Sequence, residues 1–573
     1  MIALALTLGS TAALADHPAG VVLPESVVID VSDEGLNAFV PLVSTLLPPQ
    51  IDVPVFADSD EGGCAFGFCT YSYEYSVSNG WATITINDAQ ITPGNGVLNL
   101  DASLTVQINE PADPIDIYLD GTAIGFIGVT ENCDAWVEPF DIQLQGSIAL
   151  DLDPATGLAT VDLPPFDWQW TLTGDDFQLT SCGAVSTIDD FLSFFGVDIF
   201  GLVLDFVEPE VASAINGITD DLDLETAVND ALSSATISQD IDLGGVLLSV
   251  DVAPSDIEIV PEGIRIALDG SIDAPAHACV AEYGITESLA TPSTLPGIGD
   301  FPTGLPFAPH LGVYADDDLL NQGLFAIWNA GLLCQTIDDS TGSLPLPIDT
   351  SLLGLFAPAG TYDDLFPESK PLTIITRPEL PPIASTVGQY DLNIDVQRLG
   401  TEFYGELDGR QARLLRVDLA VEAGVDVNFD GQTGGLGIDV ALGGDQVSAA
   451  VVYNEFTPEA NDAIAEQLVG LVDQLVGPLL GDALAGLAFD IPSFEGFGLQ
   501  EAYVTSAGSA GDRLGIYGAI GPVPYQSAGC GGGAGGCDAG AGCQDTGCSS
   551  GRMPSGLLYF ALPLLLAGLR RRD

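Results

Sequence analysis

The stretch VSDEGLN at residues 31–37 returns as ADDDLLN at residues 315–321. Both copies lie where a strand-like run gives way to a helix-like run. The offset between them is 284 residues (321 − 37). A sequence that repeats itself over such a distance predicts two copies of one structural unit, joined in a single chain.

A second pair of segments supports the duplication. The dipeptide DI at residues 240–241 followed by IRI at 264–266 returns as DI at 490–491 followed by LGI at 514–516. Both offsets are 250 (490 − 240 and 514 − 264), so the second copy is the shorter one. At 573 residues the chain has room for two large modules plus appendages.

The composition is acidic and apolar at once. Twelve Lys+Arg stand against 82 Asp+Glu, which gives a formal net charge of −70, while the mean hydropathy is +0.33. A field of this sign repels nucleic acid and anionic membrane surfaces, so we expect no nucleic-acid partner. Salt adaptation and divalent-cation affinity remain open alternatives to a simple solvated acidic surface.

The two ends of the chain predict export and anchoring. Residues 2–8 are apolar and the tripeptide ALA at 13–15 has the form of a signal-peptidase site, which predicts a signal peptide over residues 1–15. Residues 523–555 are rich in Gly, Ala and Cys and predict a disordered stalk. Residues 556–572 form an apolar helix-like run that closes on an arginine cluster but falls short of the roughly 20 residues of a full membrane span.

The order of Cys548, the apolar run and the arginines Arg570, Arg571 and Arg572 resembles the MYXO-CTERM type of C-terminal sorting signal. The resemblance implies processing by a membrane sorting protease, with Cys548 as the matching cysteine, and retention at the bacterial cell envelope or outer surface. An ordinary tail-anchor helix with incidental cysteines is the alternative.

Strands dominate both halves. Residues 98–108 and 415–427 alternate apolar and polar side chains, as expected of antiparallel strands with one buried face. Helical spacing of apolar residues follows Thr187 and Thr457, where it predicts a long apolar helix in each half. The Pro- and Gly-rich residues 289–310 are predicted to link the halves. The expected order in each is strand, amphipathic helix, antiparallel meander, long helix and closing strands.

This order of elements resembles that of the tubular lipid-binding superfamily of BPI, LBP and CETP. Two sets of segments match as well: GVYADDDLLN at 312–321 opens the second half, and DVAP at 251–254 before IRIALDG at 264–270 closes the first. The resemblance implies an α+β fold of two tandem modules, residues 25–288 and 311–522, in a boomerang-shaped molecule. In each module a twisted antiparallel sheet or half-barrel wraps around a long helix. It further implies a disulfide between Cys133 and Cys182.

Four other body cysteines have no counterpart in that superfamily. Pairing Cys64 with Cys69 and Cys279 with Cys334 rests on elimination alone. Lys370 is the only lysine of the chain, whereas superfamily members that bind lipopolysaccharide use basic residues at a domain tip. Endotoxin binding therefore does not carry over.

In that superfamily each module leaves an apolar groove for acyl chains, and surplus apolar residues on the helices are the candidates for its wall. Any one of them is as readily plain core as groove wall. The candidates are Phe39, Val43, Phe195, Ile199, Leu202 and Val203 in the first module, and Leu324, Ile327, Trp328, Leu468, Val472 and Leu475 in the second.

Chemistry-bearing motifs are sparse. The segment DVNFDG at 426–431 fits the first half of a calcium loop, but its twelfth position is Gly437, and a β-turn between two strands is the interpretation that we favour. None of the three histidines has a nucleophile and an acid partner in its sequence context. We therefore expect no metal, no cofactor and no catalytic residues.

The sequence as a whole predicts a non-enzymatic lipid-binding or lipid-transfer protein of the cell envelope, with bound lipid as its ligand. The alternative is a structural or adhesive surface protein on the same duplicated fold with no lipid bound. A hydrolase with an unrecognised site would require a pocket with paired, perturbed carboxylates.

Overall fold

The computed structural model describes residues 20–38, 40–41, 51–53, 56–62, 64, 71–123, 129–153, 156–164, 167–173, 176–181, 226, 228–229, 232–233, 236–243, 246–285, 293–338, 348–358, 360–362, 364–430, 435–441, 446–470, 489–490 and 497–522. Within these ranges the protein consists mostly of antiparallel sheets with few helices. The predicted signal peptide, stalk and C-terminal apolar helix lie outside them.

The first half begins with one strand and one short helix, continues as a meander and closes with three strands. The elements are β1 (Leu23–Ser32), α1 (Asp33–Asn37), β2 (Ile51–Val53), β3 (Phe56–Gly62), β4 (Tyr71–Ser78), β5 (Gly80–Pro93), β6 (Val97–Ile108), β7 (Ile115–Ala123), β8 (Val129–Asp153), β9 (Leu158–Asp162), β10 (Asp167–Trp170), β11 (Phe177–Thr180), β12 (Ile237–Leu243), β13 (Val246–Val260), β14 (Gly263–Asp273) and α2 (Ala278–Ala281).

The second half repeats this order with fewer strands. Its elements are β15 (Leu311–Asp316), α3 (Asp317–Asn329), β16 (Thr336–Ile337), a 3-10 turn (Thr350–Leu352), α4 (Leu353–Phe356), β17 (Leu372–Pro378), β18 (Ile383–Ser385), β19 (Leu392–Leu407), β20 (Arg410–Asp430), β21 (Gly435–Ala441), β22 (Val447–Tyr453), a 3-10 turn (Pro458–Ala460), a helix over residues 461–470, β23 (Phe489–Asp490), β24 (Phe497–Ala507) and β25 (Arg513–Pro522).

The described strands form three sheets. A central sheet has the order β12-β13-β14-β1-β15-β25-β24 and takes strands from both halves. The first half adds a sheet of order β2-β5-β6-β8-β7-β4-β3, with β9, β10 and β11 pairing with β8. The second half adds one of order β16-β17-β19-β20-β21-β23, with β18 on β19 and β22 on β20. The order predicted for each half is thus confirmed as far as the described residues reach.

The repeat identified in the sequence sets the register of the central sheet. Strand β1 pairs antiparallel with β15, and the central pair is Ile29 with Val313, which the offset of 284 makes equivalent residues (29 + 284 = 313). In the first half Val31 pairs with Ile264. The equivalent residues of the second half, reached through the offsets of 284 and 250, are Ala315 and Leu514, and these two also pair with each other. The two halves are therefore related by a pseudo-two-fold axis through the Ile29–Val313 pair.

Both copies begin their helix with the same chemistry. Ser32 caps α1 and accepts a hydrogen bond from the Gly35 amide at 3.1 Å, while the equivalent Asp316 caps α3 and accepts one from the Asp318 amide at 3.0 Å. Short polar side chains at this position satisfy amides that the first helical turn leaves unpaired. This explains why the repeat is strongest where the strand becomes a helix.

The repeated asparagine joins each helix to its meander. Asn37 donates to the Ile91 carbonyl at 3.0 Å and accepts from the Ile91 amide at 2.9 Å. Asn321 makes the same pair of hydrogen bonds to Ala384, at 3.1 and 2.7 Å. An amide side chain offers a donor and an acceptor side by side, so it can make the two hydrogen bonds that one backbone residue of a neighbouring strand would otherwise make.

Different groups cover the two faces of the central sheet. One face carries Ile29, Ile266 and Val313, which pack in the same cluster as Leu98 and Leu152 of the first-half sheet. The opposite face is covered by the segment between the halves, through three apolar side chains: Leu295, Phe301 and Leu305. The predicted linker is therefore a packed strap, which we call the linker strap (residues 293–310).

Two buried arginines hold the linker strap. Arg265 makes two hydrogen bonds of 2.7 Å to the Asp30 carboxylate and one of 2.7 Å to the Pro296 carbonyl. Arg513 pairs with Asp316 at 2.9 Å and donates to the Ser293 hydroxyl at 2.5 Å. Breaking one partner of such a buried pair leaves an uncompensated charge, so these contacts fix the strap in place.

The meander sheets show the predicted alternation. In β6 the side chains of Leu98, Ala102, Leu104, Val106 and Ile108 are buried, with partly exposed polar residues between them. The motif considered as a calcium loop lies in a β-hairpin, where Asp426 opposes Asp439 and Asp430 opposes Gly435. The β-turn interpretation agrees with this pairing.

The structure corrects the predicted architecture in one respect. The two modules do not have wholly separate sheets, because four strands of the first and three of the second form one continuous described sheet. The long helix predicted after Thr187 lies outside the described residues. The helix predicted after Thr457 is present over residues 461–470, and its continuation is likewise outside. Whether the sheets wrap around long helices stays a prediction.

We predict that Asn37→Ala and Asn321→Ala each lower the free energy of unfolding by about 1–3 kcal/mol, because each leaves a backbone donor and a backbone acceptor of the neighbouring meander without a hydrogen-bond partner. Urea denaturation measures the loss, and faster exchange of the Ile91 or Ala384 amide locates it. Asn87→Ala is the control, since Asn87 bonds the exposed Thr105 hydroxyl. Equal effects for all three variants would contradict the role assigned to the repeated asparagines.

Candidate functional site

Eight of the twelve groove candidates lie outside the residues that the structure describes. All six first-module candidates lie outside the described residues, as do two in the second. They are Phe39, Val43, Phe195, Ile199, Leu202, Val203, Val472 and Leu475. Their contact with a ligand stays a prediction. The four that are described can be placed individually.

Trp328 lies in a closed cluster. Its side chain is buried, its ring stacks at 5.4 Å on that of Phe325, and its indole N–H donates to the Pro378 carbonyl at 2.8 Å. Val280 of α2 completes the cluster next to the Cys279–Cys334 disulfide. In this arrangement Trp328 fixes α3 to the second-half sheet.

Leu468 packs in the core of the second half. Together with Ile464 it contacts a cluster that includes Leu353, Leu414 and Leu415. Its neighbours are protein side chains on the helix, on α4 and on β20. The helix over residues 461–470 therefore uses this face to hold the sheet.

Leu324 and Ile327 are only half-buried. Ile327 lies beside Ala326 and Ala330, which pack on Leu248 and Ala274 of the first half. Leu324 is on the same helix and is half-exposed, as is Leu320 one turn before it. A partly exposed apolar pair on a helix is the kind of surface that an apolar ligand covers.

Four arginines of the second-half sheet face carboxylates. Glu402 is buried and receives Arg377 at 3.0 Å and Arg413 at 2.9 Å. Burial opposes ionisation of Glu402, but these hydrogen bonds outweigh it and lower its pKa. Arg398 and Arg416 pair with Glu379 and Asp418.

Because these arginines face carboxylates, they are already engaged and do not offer a phosphate-binding surface.

Three carboxylates meet at the start of α3. Asp316, Asp317 and Asp318 have carboxylate oxygens within 4.8 Å of one another. Burial, together with the charges of Asp316, Asp318 and Asp512, raises the pKa of Asp317 to about 7. Carboxylates at this spacing are able to ligate a divalent cation. Asp316 already serves as helix cap and partner of Arg513, and we assign no metal here.

Both described histidines bond to the backbone. His277 accepts from the Cys279 amide at 3.3 Å at the start of α2. His310 lies 2.9 Å from the Ile520 carbonyl and 3.0 Å from its amide nitrogen. Each of these side chains therefore has a structural role.

The disulfide between Cys279 and Cys334 is confirmed, with a Cα–Cα distance of 6.6 Å. It ties α2 to the segment after α3. Cys133 and Cys64 are also disulfide-bonded. Because Cys182 and Cys69 lie outside the described residues, the pairings Cys133–Cys182 and Cys64–Cys69 stay predictions. The tail residues Cys548, Arg570, Arg571 and Arg572 lie outside as well.

In the described ranges, none of the helices combines the length and the apolarity that a bilayer crossing requires. No protein-family model matches this sequence, and no curated protein matches it. Comparison of folds is more informative. The structure superposes on the crystal structure of lipopolysaccharide binding protein with a TM-score of 0.52, covering 88% of this chain and 100% of that chain at 14% sequence identity.

The chain has the fold of lipopolysaccharide binding protein. P47 of Clostridium botulinum E1 covers 87% of this chain and 99% of its own at a TM-score of 0.24 and 9% identity. Takeout 1 of Epiphyas postvittana covers 33% and 86% at a TM-score of 0.20 and 14% identity. At such scores neither adds to the argument. The predicted resemblance is therefore confirmed for the fold, and the MYXO-CTERM tail stays a prediction.

We predict that Asp317→Asn raises the melting temperature at pH 8 by about 3 °C or more and changes it little at pH 4. The folded-state pKa of about 7 lies above the ordinary aspartate value of 3.8, so stability falls as pH rises between these values. At pH 8 the native protein holds a charge that asparagine removes. Calorimetry at both pH values measures the difference.

Asp33→Asn is the matched control, because Asp33 occupies the equivalent position of the first copy (33 + 284 = 317) and is exposed. Loss of a negative charge at the start of α1 should slightly destabilise that helix at either pH. An equal rise in melting temperature at pH 8 in both variants would show that repulsion among the carboxylates around Asp317 does not cause the effect.

Proposed function

We propose that this protein is a non-enzymatic lipid-binding or lipid-transfer protein of the cell envelope that holds acyl chains in apolar grooves. The observation that carries the proposal is the fold shared with lipopolysaccharide binding protein over 88% of this chain. That neighbour is named for binding a lipid-bearing molecule. The fold alone does not decide what this chain binds, so the residues must supply the rest.

The apolar side chains support acyl binding. Leu320 and Leu324 leave part of their surface uncovered on α3, next to the central sheet. A buried methylene gains about 0.8 kcal/mol, so two acyl chains are retained tightly without any charged clamp. This matters here because Arg377, Arg413 and Arg416 of the second half are already paired with carboxylates.

The ligand consistent with these features is a lipid recognised by its acyl chains. In this proposal the acidic surface keeps the body soluble, while the C-terminal tail, processed by a sorting protease at Cys548, holds it at a membrane. Neither a cofactor nor a metal has a part in binding.

A structural or adhesive protein on the same fold is the second candidate. Trp328 and Leu468, both proposed from the sequence as groove residues, contact protein side chains in closed clusters. If every candidate behaves in this way, the grooves are filled and no lipid enters.

Native mass spectrometry of the full chain, purified in mild detergent, tests the proposal. We expect adducts with the masses of acyl lipids, and uptake of a fluorescent fatty acid that these lipids displace. Lipid-free protein that also fails to take up the probe would establish the structural alternative.

We predict that Leu324→Glu weakens uptake of the fluorescent fatty acid by about tenfold or more, since a carboxylate in contact with an acyl chain loses its hydration. The control is Leu158→Glu, because Leu158 is 51% exposed on β9. Circular dichroism must show that both variants are folded. Equal uptake by the two variants would remove Leu324 from the binding surface.

A further inference from the structure

A small cavity lies in the second half, apart from the helices discussed above. It has a volume of about 250 Å³ and is bounded by the 3-10 turn, by α4 and by the segment that leads to β17. Its lining residues are Thr350, Ser351, Gly354, Ala357, Pro358, Gly360, Thr361, Tyr362, Phe366 and Ser369.

The cavity has a buried floor and an open rim. Thr350 and Tyr362 are each 5% exposed and Ala357 is 3% exposed, whereas Ser351 and Ser369 at the rim are exposed. It lies at the end of the second-half sheet that is far from the central sheet. Phe366 is within 3.5 Å of the position that a Cβ at Gly405 would take, near the β19–β20 hairpin. Phe429, near the other end of β20, packs on the core of the central sheet.

The lining is rich in hydroxyl groups, and none of its described residues carries a charged side chain. Ser351 donates to the Asp349 carboxylate and Thr361 donates to the Pro358 carbonyl, so their oxygens remain able to accept. The Thr350 hydroxyl accepts from the Lys370 amide at 3.0 Å, so its hydrogen remains able to donate. Phe366 adds an aromatic ring to this set.

Tyr362 points to a missing partner. Its hydroxyl is buried and makes no hydrogen bond within the described part of the chain. Burial also raises its pKa, which keeps the hydroxyl protonated as a donor. The neighbouring Thr457 hydroxyl donates instead to Asn454 at 3.2 Å. A buried hydroxyl without a partner is costly, and a bound molecule that supplied one would remove the cost.

We propose that this cavity binds a small neutral polyol, of the class of a single sugar residue or an inositol ring. Such a ligand offers donors and acceptors around its edge for the Thr350, Ser351, Thr361 and Tyr362 hydroxyls. Its C–H faces match the ring of Phe366. The described lining residues carry no charge, which disfavours phosphate and carboxylate ligands in a protein with a net charge of −70. The site is independent of acyl-chain binding.

Isothermal titration of the full chain with methyl glucoside and with myo-inositol tests the proposal, and glucose 6-phosphate serves as the charged comparison. We expect at least one neutral compound to bind and the phosphate to bind more weakly. Vesicles that carry a glucosyl diacylglycerol distinguish a lipid headgroup from a free sugar as the source. Failure of every neutral probe, free or in vesicles, would overturn the proposal.

Two variants locate the site. Tyr362→Phe should weaken binding about five- to tenfold, because it removes one hydrogen bond and keeps the ring. Gly354→Leu should abolish binding, since a Cβ at Gly354 meets nothing within 4 Å and the larger side chain enters open space.

Tyr314→Phe is the matched control: its hydroxyl is also buried and without a hydrogen-bond partner among the described residues, but it lies in the central sheet. Loss of either hydroxyl should leave the fold intact, because each lacks a protein partner. Unchanged affinity in both Tyr362→Phe and Gly354→Leu would show that any binding occurs elsewhere and would refute the site.

Discussion

Everything else in this molecule is arranged around the pairing of β1 with β15. Five consecutive residue pairs, centred on Ile29 and Val313, join two meander-bearing halves through backbone hydrogen bonds. Because both faces of β1 are buried, neither half can shift along the other without exposing apolar side chains on one face. The register of this pair therefore sets the positions of the helices that start at Ser32 and Asp316.

The buried charges break the symmetry that the backbone keeps. Asp30 and Arg265 correspond through the repeat to Tyr314 and Gly515, and Asp316 and Arg513 correspond to Ser32 and Gly263. Where the first half has an ion pair, the second has the buried Tyr314, whose ring packs against that of Tyr517. The Tyr517 hydroxyl lies 2.9 Å from the position that a Cβ at Gly515 would take. Each half thus contributes one arginine to hold the linker strap, from a different position, so the strap binds at two unlike points.

Local signals in the sequence predicted local structure well. Alternation located the strands, and the repeat located both helix starts, because capping and alternation depend on near neighbours. The shared sheet was missed because pairing between Val27 and Ala315 joins residues far apart in sequence. The nearly continuous apolar run VVIDV at residues 27–31 is the signal that could have indicated a strand covered on both sides, and the structure buries it throughout. Helical spacing identified Trp328 and Leu468 as apolar, but spacing alone does not tell core from ligand wall, and the cavity hydroxyls carry no pattern at all.

The linker strap has a consequence for how the protein can be divided. Cutting the chain at residues 293–310 would do more than release two modules, because it would uncover the full hydrogen-bonding edge of β1 and of β15. Those edges are nearly self-complementary, because the pairing is symmetric about Ile29 and Val313. Each residue of β1 lies opposite the β15 residue that is equivalent, through the repeat, to the β1 residue at the same distance on the other side of Ile29. A free module would thus carry the surface for an isologous dimer with a second copy of itself, or for uncontrolled edge-to-edge growth. Covalent fusion turns that hazard into an intramolecular contact, so the duplicated chain does within one polypeptide what a single-module protein would do as a homodimer.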